Sequence, residues 1–167
     1  MGKKILFCGG GNMAEGIIRS LIKKDVVESE DISVSELNPA RCDYLKETYG
    51  VQAMTDATEA MKTADMAVIA VLPKIVPVVA AGLKDNVRKD AVIMSIAAGV
   101  KIETLEGYLG ADRKIIRVMP NTLGQSGNGH SAVCLNSNVT EEEKGFADKV
   151  LSALGQTKYL SLKQNSE

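Results

Sequence analysis

Short apolar runs alternate along this chain with segments whose apolar residues recur every three or four positions. Lys4 to Cys8 is a brief apolar run closed by glycine, which predicts a buried strand. Asn12 to Lys24 carries Met13, Ile17, Ile18, Leu21 and Ile22 at helical spacing. Asp31 to Glu36 predicts a second strand. Asn38 and Pro39 then open a helix that runs through Leu45 to Tyr49 and stops at Gly50. Val51 to Met54 predicts a short third strand, and Asp56 caps a helix through Met61. Ala64 to Val71 is apolar almost throughout, as expected of a central strand covered on both faces. Pro73 opens a helix towards Leu83, Ala91 to Ile96 is a strand, and Ile102 to Leu109 is helical. The strand Lys114 to Met119 is closed by Pro120, Asn121 and Thr122. A glycine-rich loop from Gly124 to Gly129 leads to a strand over Ser131 to Leu135. Thr140 and Glu143 form a capping box for a helix that ends near Leu154, before Gly155. Gln156 to Leu162 predicts a last strand.

This alternation points to an α/β fold, a Rossmann-like doubly wound and mostly parallel sheet with helices on both faces. One domain is expected over residues 1–162, followed by a polar tail over 163–167. A fold of this kind places its ligand crevice at the carboxyl ends of the strands, so the loops after each strand are the candidate site.

Composition narrows the function classes. The 167 residues have a formal net charge of −1, and no basic stretch stands out, which speaks against nucleic acid as a partner. No apolar run reaches the roughly 18 residues of a membrane span, and the N-terminus reads as a first strand rather than a signal peptide. The cytoplasm is the expected compartment. Cys8, Cys42 and Cys134 are widely spaced and read as buried, reduced thiols. No metal site is expected, since the acidic run Glu141 to Glu143 belongs to a helix start. The lone histidine, His130, reads as a surface or hydrogen-bonded residue rather than a catalytic one, and no catalytic residue is assigned.

The chemistry lies in the first turn. Cys8-Gly9-Gly10-Gly11-Asn12-Met13-Ala14 contains Gly9-x-Gly11-x-x-Ala14, between a strand and a helix. Gly9 permits the turn, Gly11 leaves room for a pyrophosphate, and Ala14 lets the helix lie against the sheet. A methyl-donor loop is disfavoured, because no acidic strand end precedes Gly9. Glu36, ending the second strand, stands where a carboxylate binds the adenosine ribose and favours NAD, but an exposed strand-end glutamate fits equally well. Arg41, one helical turn on, is alternatively placed to neutralise a 2′-phosphate, so NADP and NAD both stay open as cofactors. Ala70-Val71-Leu72-Pro73, Ala97-Ala98-Gly99 and Met119-Pro120-Asn121-Thr122 end further strands on the same edge. Their small residues suit a nicotinamide near the backbone.

Three ordered motifs carry a resemblance: Phe7 to Glu15, Ser95-Ile96-Ala97-Ala98-Gly99-Val100, and Arg117-Val118-Met119-Pro120-Asn121-Thr122. With Gly127-x-Gly129 and Cys134, they make the chain similar to pyrroline-5-carboxylate reductases over nearly all its length. The resemblance implies an oxidoreductase of proline biosynthesis that passes hydride from NAD(P)H to 1-pyrroline-5-carboxylate. It also implies cofactor contacts from the Gly9 loop, Glu36, Ala57, the 70–73 loop, the 97–99 loop and Asn121. The family has a second, all-helical domain that forms the dimer and most of the substrate pocket. The sequence stops where that domain is expected, so cofactor binding with little or no turnover is anticipated for this chain alone. Self-association near Leu154 to Leu162, giving a homo-oligomer, is a further expectation. Leu72 stands where the family usually has lysine, which is displaced to Lys74. Ala57 replaces an asparagine, Leu37 an arginine and Leu123 a proline. Dehydrogenases of 3-hydroxy acids and deazaflavin-linked NADP reductases share the same first-domain plan. A stand-alone nucleotide-binding or interaction module is the remaining alternative.

Overall fold

The computed structural model describes residues 3–119, 130–152 and 155–160. Its strands are β1 (Ile5–Cys8), β2 (Ile32–Ser35), β3 (Gln52–Met54), β4 (Met66–Ile69), β5 (Val92–Ser95), β6 (Lys114–Met119), β7 (His130–Leu135) and β8 (Gln156–Leu160). The helices are α1 (Asn12–Lys23), α2 (Pro39–Tyr49), α3 (Thr58–Thr63), α4 (Val76–Asn86), α5 (Ile102–Leu109) and α6 (Glu141–Leu151). The strands form one sheet in the order β3-β2-β1-β4-β5-β6-β7-β8. All pairs are parallel except β6 with β7. Only residues 120–129 lie between β6 and β7, fewer than the dozen or so that a parallel crossover needs, so the chain returns antiparallel.

Apolar residues on successive positions of the central strands face opposite ways and build two cores. Ile5, Phe7, Met66, Val68 and Met94 pack with α1, α2 and α6 on one face. Leu6, Cys8, Ala67, Ile69 and Ile93 pack with α3, α4 and α5 on the other. Each fully buried Leu or Ile contributes about 1.5–3 kcal/mol over exposure, so a run such as Ile5 to Cys8 is held from both sides.

Helix boundaries follow local chemistry. Asn38 caps α2 by accepting the Ala40 N–H at 3.0 Å, and the Gly50 N–H closes the helix on Lys46 O. Thr140 and Glu143 form the expected capping box on α6. Ala57, not Asp56, occupies the N-cap position of α3, although Asp56 Oδ1 still accepts the Thr58 N–H at 3.1 Å. The helix expected from Pro73 is a 3-10 turn over Pro73–Ile75, and α4 begins at Val76. A continuous α-helix would drive the Pro77 ring into the Pro73 carbonyl, whereas in the first turn of α4 the missing N–H costs nothing. α6 stops at Leu151, earlier than its sequence suggests. Ser152 Oγ turns back to donate to Lys149 O at 2.6 Å, and Lys24 Nζ donates to Ser152 O at 3.0 Å.

Candidate functional site

The strand order reverses direction between β1 and β4, and the loops that follow these strands meet there. Gly9 follows β1 with φ 105°, and its N–H donates to Ser35 O at 2.8 Å. A Cβ on Gly9 would stand 2.4 Å from Ala70 O, so no other residue fits between the two loops. Gly11 differs: its φ is −78°, and a Cβ there would meet nothing within 4 Å. That open space borders the start of α1, which has no side-chain cap. The amides of the first turn and the positive end of the helix dipole therefore face an open crevice, a fit for a pyrophosphate.

The loop is braced from β2 and α2. Glu36 Oε1 accepts the Gly10 N–H at 3.0 Å and Oε2 accepts the Asn38 N–H at 2.9 Å. The Glu36 backbone is pinned as well, its N–H on Met54 O at 3.0 Å and its carbonyl under Cys42 Sγ at 3.2 Å. Arg41 Nε donates to Gly10 O at 2.6 Å, and its Nη2 donates to Glu15 Oε1 at 2.6 Å. The guanidinium also lies 4.9 Å from the centroid of the Tyr44 ring. Both polar groups of the Gly10 peptide are thus held by charged side chains.

Glu15 is the residue that sequence reasoning left without a role. Its side chain is only 8% exposed, and it accepts from Tyr44 Oη at 2.6 Å, from Tyr49 Oη and from Arg41. Hydrogen bonds from Tyr44 and then Tyr49 outweigh the cost of burial and, with Arg41, hold the carboxyl down at about 2. A carboxylate beside an anion-binding turn would repel phosphate, and Arg41 offsets that charge. The signal was present: Glu15, Ile18 and Ile22 share one helical stripe, and an acid on an apolar stripe needs partners.

The structure brings the other expected residues to the same edge with different roles. Asn12 and Met13 are exposed at the start of α1, while Ala14 is buried against the sheet as expected. Cys8 at the end of β1, Ala57 between β3 and α3, and Ala97 after β5 are buried in the core on the α3, α4 and α5 side of the sheet. Burial pushes the Cys8 thiol up to about 12, which leaves it inert. Ala70 and Val71 are partly exposed, Leu72 and Pro73 are exposed, and Ala98 and Gly99 are exposed at the end of β5. Arg41 points at Gly10 and Glu15, not outward as a free cation. Asn121, the loop Gly124 to Gly129 and the His130 side chain lie outside the described residues. All three cysteines are buried.

A second cleft of about 760 Å³ opens at the opposite, amino-terminal edge of the sheet. Ion pairs within it join Arg88 to Asp65 at 2.9 Å and Lys114 to Glu143 at 2.7 Å. Among the described residues no cluster of acids, histidines and cysteines is placed to hold a metal ion, and no helix is long and apolar enough to cross a membrane.

Residues 4–99 match the family described as NADP oxidoreductase, coenzyme F420-dependent. The chain is 35% identical over 161 residues to pyrroline-5-carboxylate reductase of Escherichia coli K12, covering 96% of this chain and 60% of that protein. A pyrroline-5-carboxylate reductase structure from Coxiella burnetii superposes with a TM-score of 0.89 at 31% identity, over 96% of this chain and 60% of that one. Pyrroline carboxylate reductase from Plasmodium falciparum, solved with NADP bound, superposes with a TM-score of 0.82 at 25% identity, over 97% and 59% of the two chains. The chain thus spans about 60% of the length of these relatives. With its Rossmann-like sheet, its glycine turn at the β1/β4 switch and a family match over more than half of its residues, the chain belongs to the NADP oxidoreductase, coenzyme F420-dependent, family and is similar along nearly its whole length to pyrroline-5-carboxylate reductases.

Proposed function

We propose that residues 1–162 act as the NAD(P)-binding domain of a pyrroline-5-carboxylate reductase, an enzyme of the cytoplasm that reduces 1-pyrroline-5-carboxylate to proline. The single observation that carries this reading is the Gly11 turn, where an uncapped helix start opens onto space that a Cβ would enter. The match with pyrroline-5-carboxylate reductases along 96% of the chain supports the choice of substrate.

When bound, NAD(P)H would supply the hydride that the imine carbon of the substrate receives. The chain's own part is to hold and orient. The first-turn amides of α1 receive the pyrophosphate, and Glu36 and Arg41 keep the Gly10 peptide in place beneath it. Ala70, Val71, Leu72 and Pro73 flank the crevice after β4, while Ala97, Ala98 and Gly99 offer a floor of small residues after β5. Asn121 is proposed to join them from the loop after β6. Such positioning accounts for much of the rate in a two-reactant step, so holding the cofactor alone gives little turnover.

Calorimetric titration of the 167-residue chain with NADH and NADPH tests the proposal. Binding of at least one dinucleotide is expected, and it should vanish in Gly11→Ala. Proline formation by the chain alone should be weak or undetectable. Affinity for neither dinucleotide would overturn the proposal in favour of an interaction module, and brisk turnover would overturn the division of labour.

A further inference from the structure

We infer that this chain selects NADH over NADPH, with Glu36 receiving the adenosine ribose and Arg41 withheld from a 2′-phosphate by Glu15 and Gly10. The inference rests on the dinucleotide reading above and concerns which of two cofactors that site takes, a point on which it departs from the NADP named in the family's description.

Three observations at the end of β2 carry it. The first is the fixed carboxylate. Glu36 is clamped through its backbone to Met54 and Cys42 and through both side-chain oxygens to Gly10 and Asn38. A carboxylate has about four acceptor positions, and the two amide contacts leave room for both hydroxyls of a ribose. A 2′-phosphate in the same place would meet a like charge that cannot swing away.

The second is the capture of Arg41. This is the cation closest to the Gly10 loop along α2, and its guanidinium makes two 2.6 Å contacts and lies over Tyr44. Its charge is matched by Glu15, an acid that is itself buried and held by two tyrosines. Turning Arg41 towards a phosphate would break its 2.6 Å contact with Glu15 and leave that buried acid only the longer, 3.4 Å pair with the exposed Arg19, which opposes the movement.

The third is the residue that follows. Clamping Glu36 and Asn38 leaves Leu37 between them, directed outward and 84% exposed. A cation at this position would reach a 2′-phosphate, and leucine offers only apolar surface. Lys74 sits in the 3-10 turn after β4, and β1 lies between β4 and β2 in the sheet. The same exposed Leu37 and the 63% exposed Leu72 suit the faces of an uncharged adenosine.

Titration of the purified chain with NADH, NADPH, ADP-ribose and 2′-phospho-ADP-ribose tests the inference at the adenosine end. The forms without the 2′-phosphate should bind at least about tenfold more tightly. Leu37→Arg, a change at an exposed position, should narrow or reverse that ratio. Arg41→Gln should weaken both dinucleotides alike, because it loosens the Gly10 peptide. Equal affinities in the parent chain, tighter NADPH binding, or a loss confined to NADPH in Arg41→Gln would each overturn the inference while leaving the dinucleotide site standing. Binding of none of the four would remove the site and the inference together.

Discussion

Gly9 and Gly11 stand two residues apart and answer to different demands. Gly9 is required by the fold, since its φ of 105° and the 2.4 Å approach to Ala70 O exclude a side chain. Gly9→Ala should cost about 2–5 kcal/mol, the sum of a left-handed backbone penalty and a forced backbone shift. Gly11→Ala should leave the melting temperature unchanged and abolish dinucleotide binding, because its Cβ enters only open crevice. Thermal melts and titrations of the two variants side by side separate these roles, and a stable Gly9→Ala would contradict the packing described. Glu15 sets a pH dependence. Its folded-state value of about 2 lies below the ordinary 4.5. Ionised Glu15 therefore contributes stability that is complete above about pH 4.5 and is lost as the pH falls towards 2. Glu15→Gln should flatten the fall in melting temperature across that window, and an unchanged slope would show that other carboxylates govern acid unfolding.

The elements are tied together by a few buried polar side chains as well as by apolar packing. Arg113, just ahead of β6, donates to Val87 O at 3.0 Å and Arg88 O at 2.7 Å through Nη1, and to Lys84 O at 2.9 Å through Nη2. It closes the carboxyl end of α4, where carbonyls lack helical partners. Arg113→Met should lose about 2–4 kcal/mol in urea unfolding, since it strands buried carbonyls that the arginine satisfied. A loss below about 0.5 kcal/mol would show that water replaces the guanidinium. Elements of this kind were largely legible. Ile102–Leu109 and Lys114–Met119 keep the bounds their periodicity predicts, because apolar spacing and flanking turn residues agree. The start of α4 was not legible from Pro73 alone, because Pro77 decides it through a clash four residues back.

Across the whole molecule the sheet ends at β3 on one side and β8 on the other. β8 carries its outer edge without a paired strand among the described residues, and an edge strand is a template for another chain. Lys158 stands exposed on it and opposes such pairing. The self-association expected near Leu154 to Leu162 should appear as a concentration-dependent rise in sedimentation coefficient, which Gln156→Pro reduces. A single monomeric species at all concentrations would remove the edge as a contact.

The sequence by itself determined the doubly wound plan and the glycine turn. Both rest on local properties: periods of two and 3.6, and a glycine pattern between a strand and a helix. Tertiary structure decided what surrounds that turn. Glu36 reads from sequence as an ambiguous strand-end acid and Arg41 as a candidate phosphate partner. Only the approach of α2 to α1 shows the first clamped to Gly10 and the second drawn to Glu15. These contacts join residues 26 positions apart in the chain, and spacing along a sequence carries no information about which of two cations or acids a fold will turn inward.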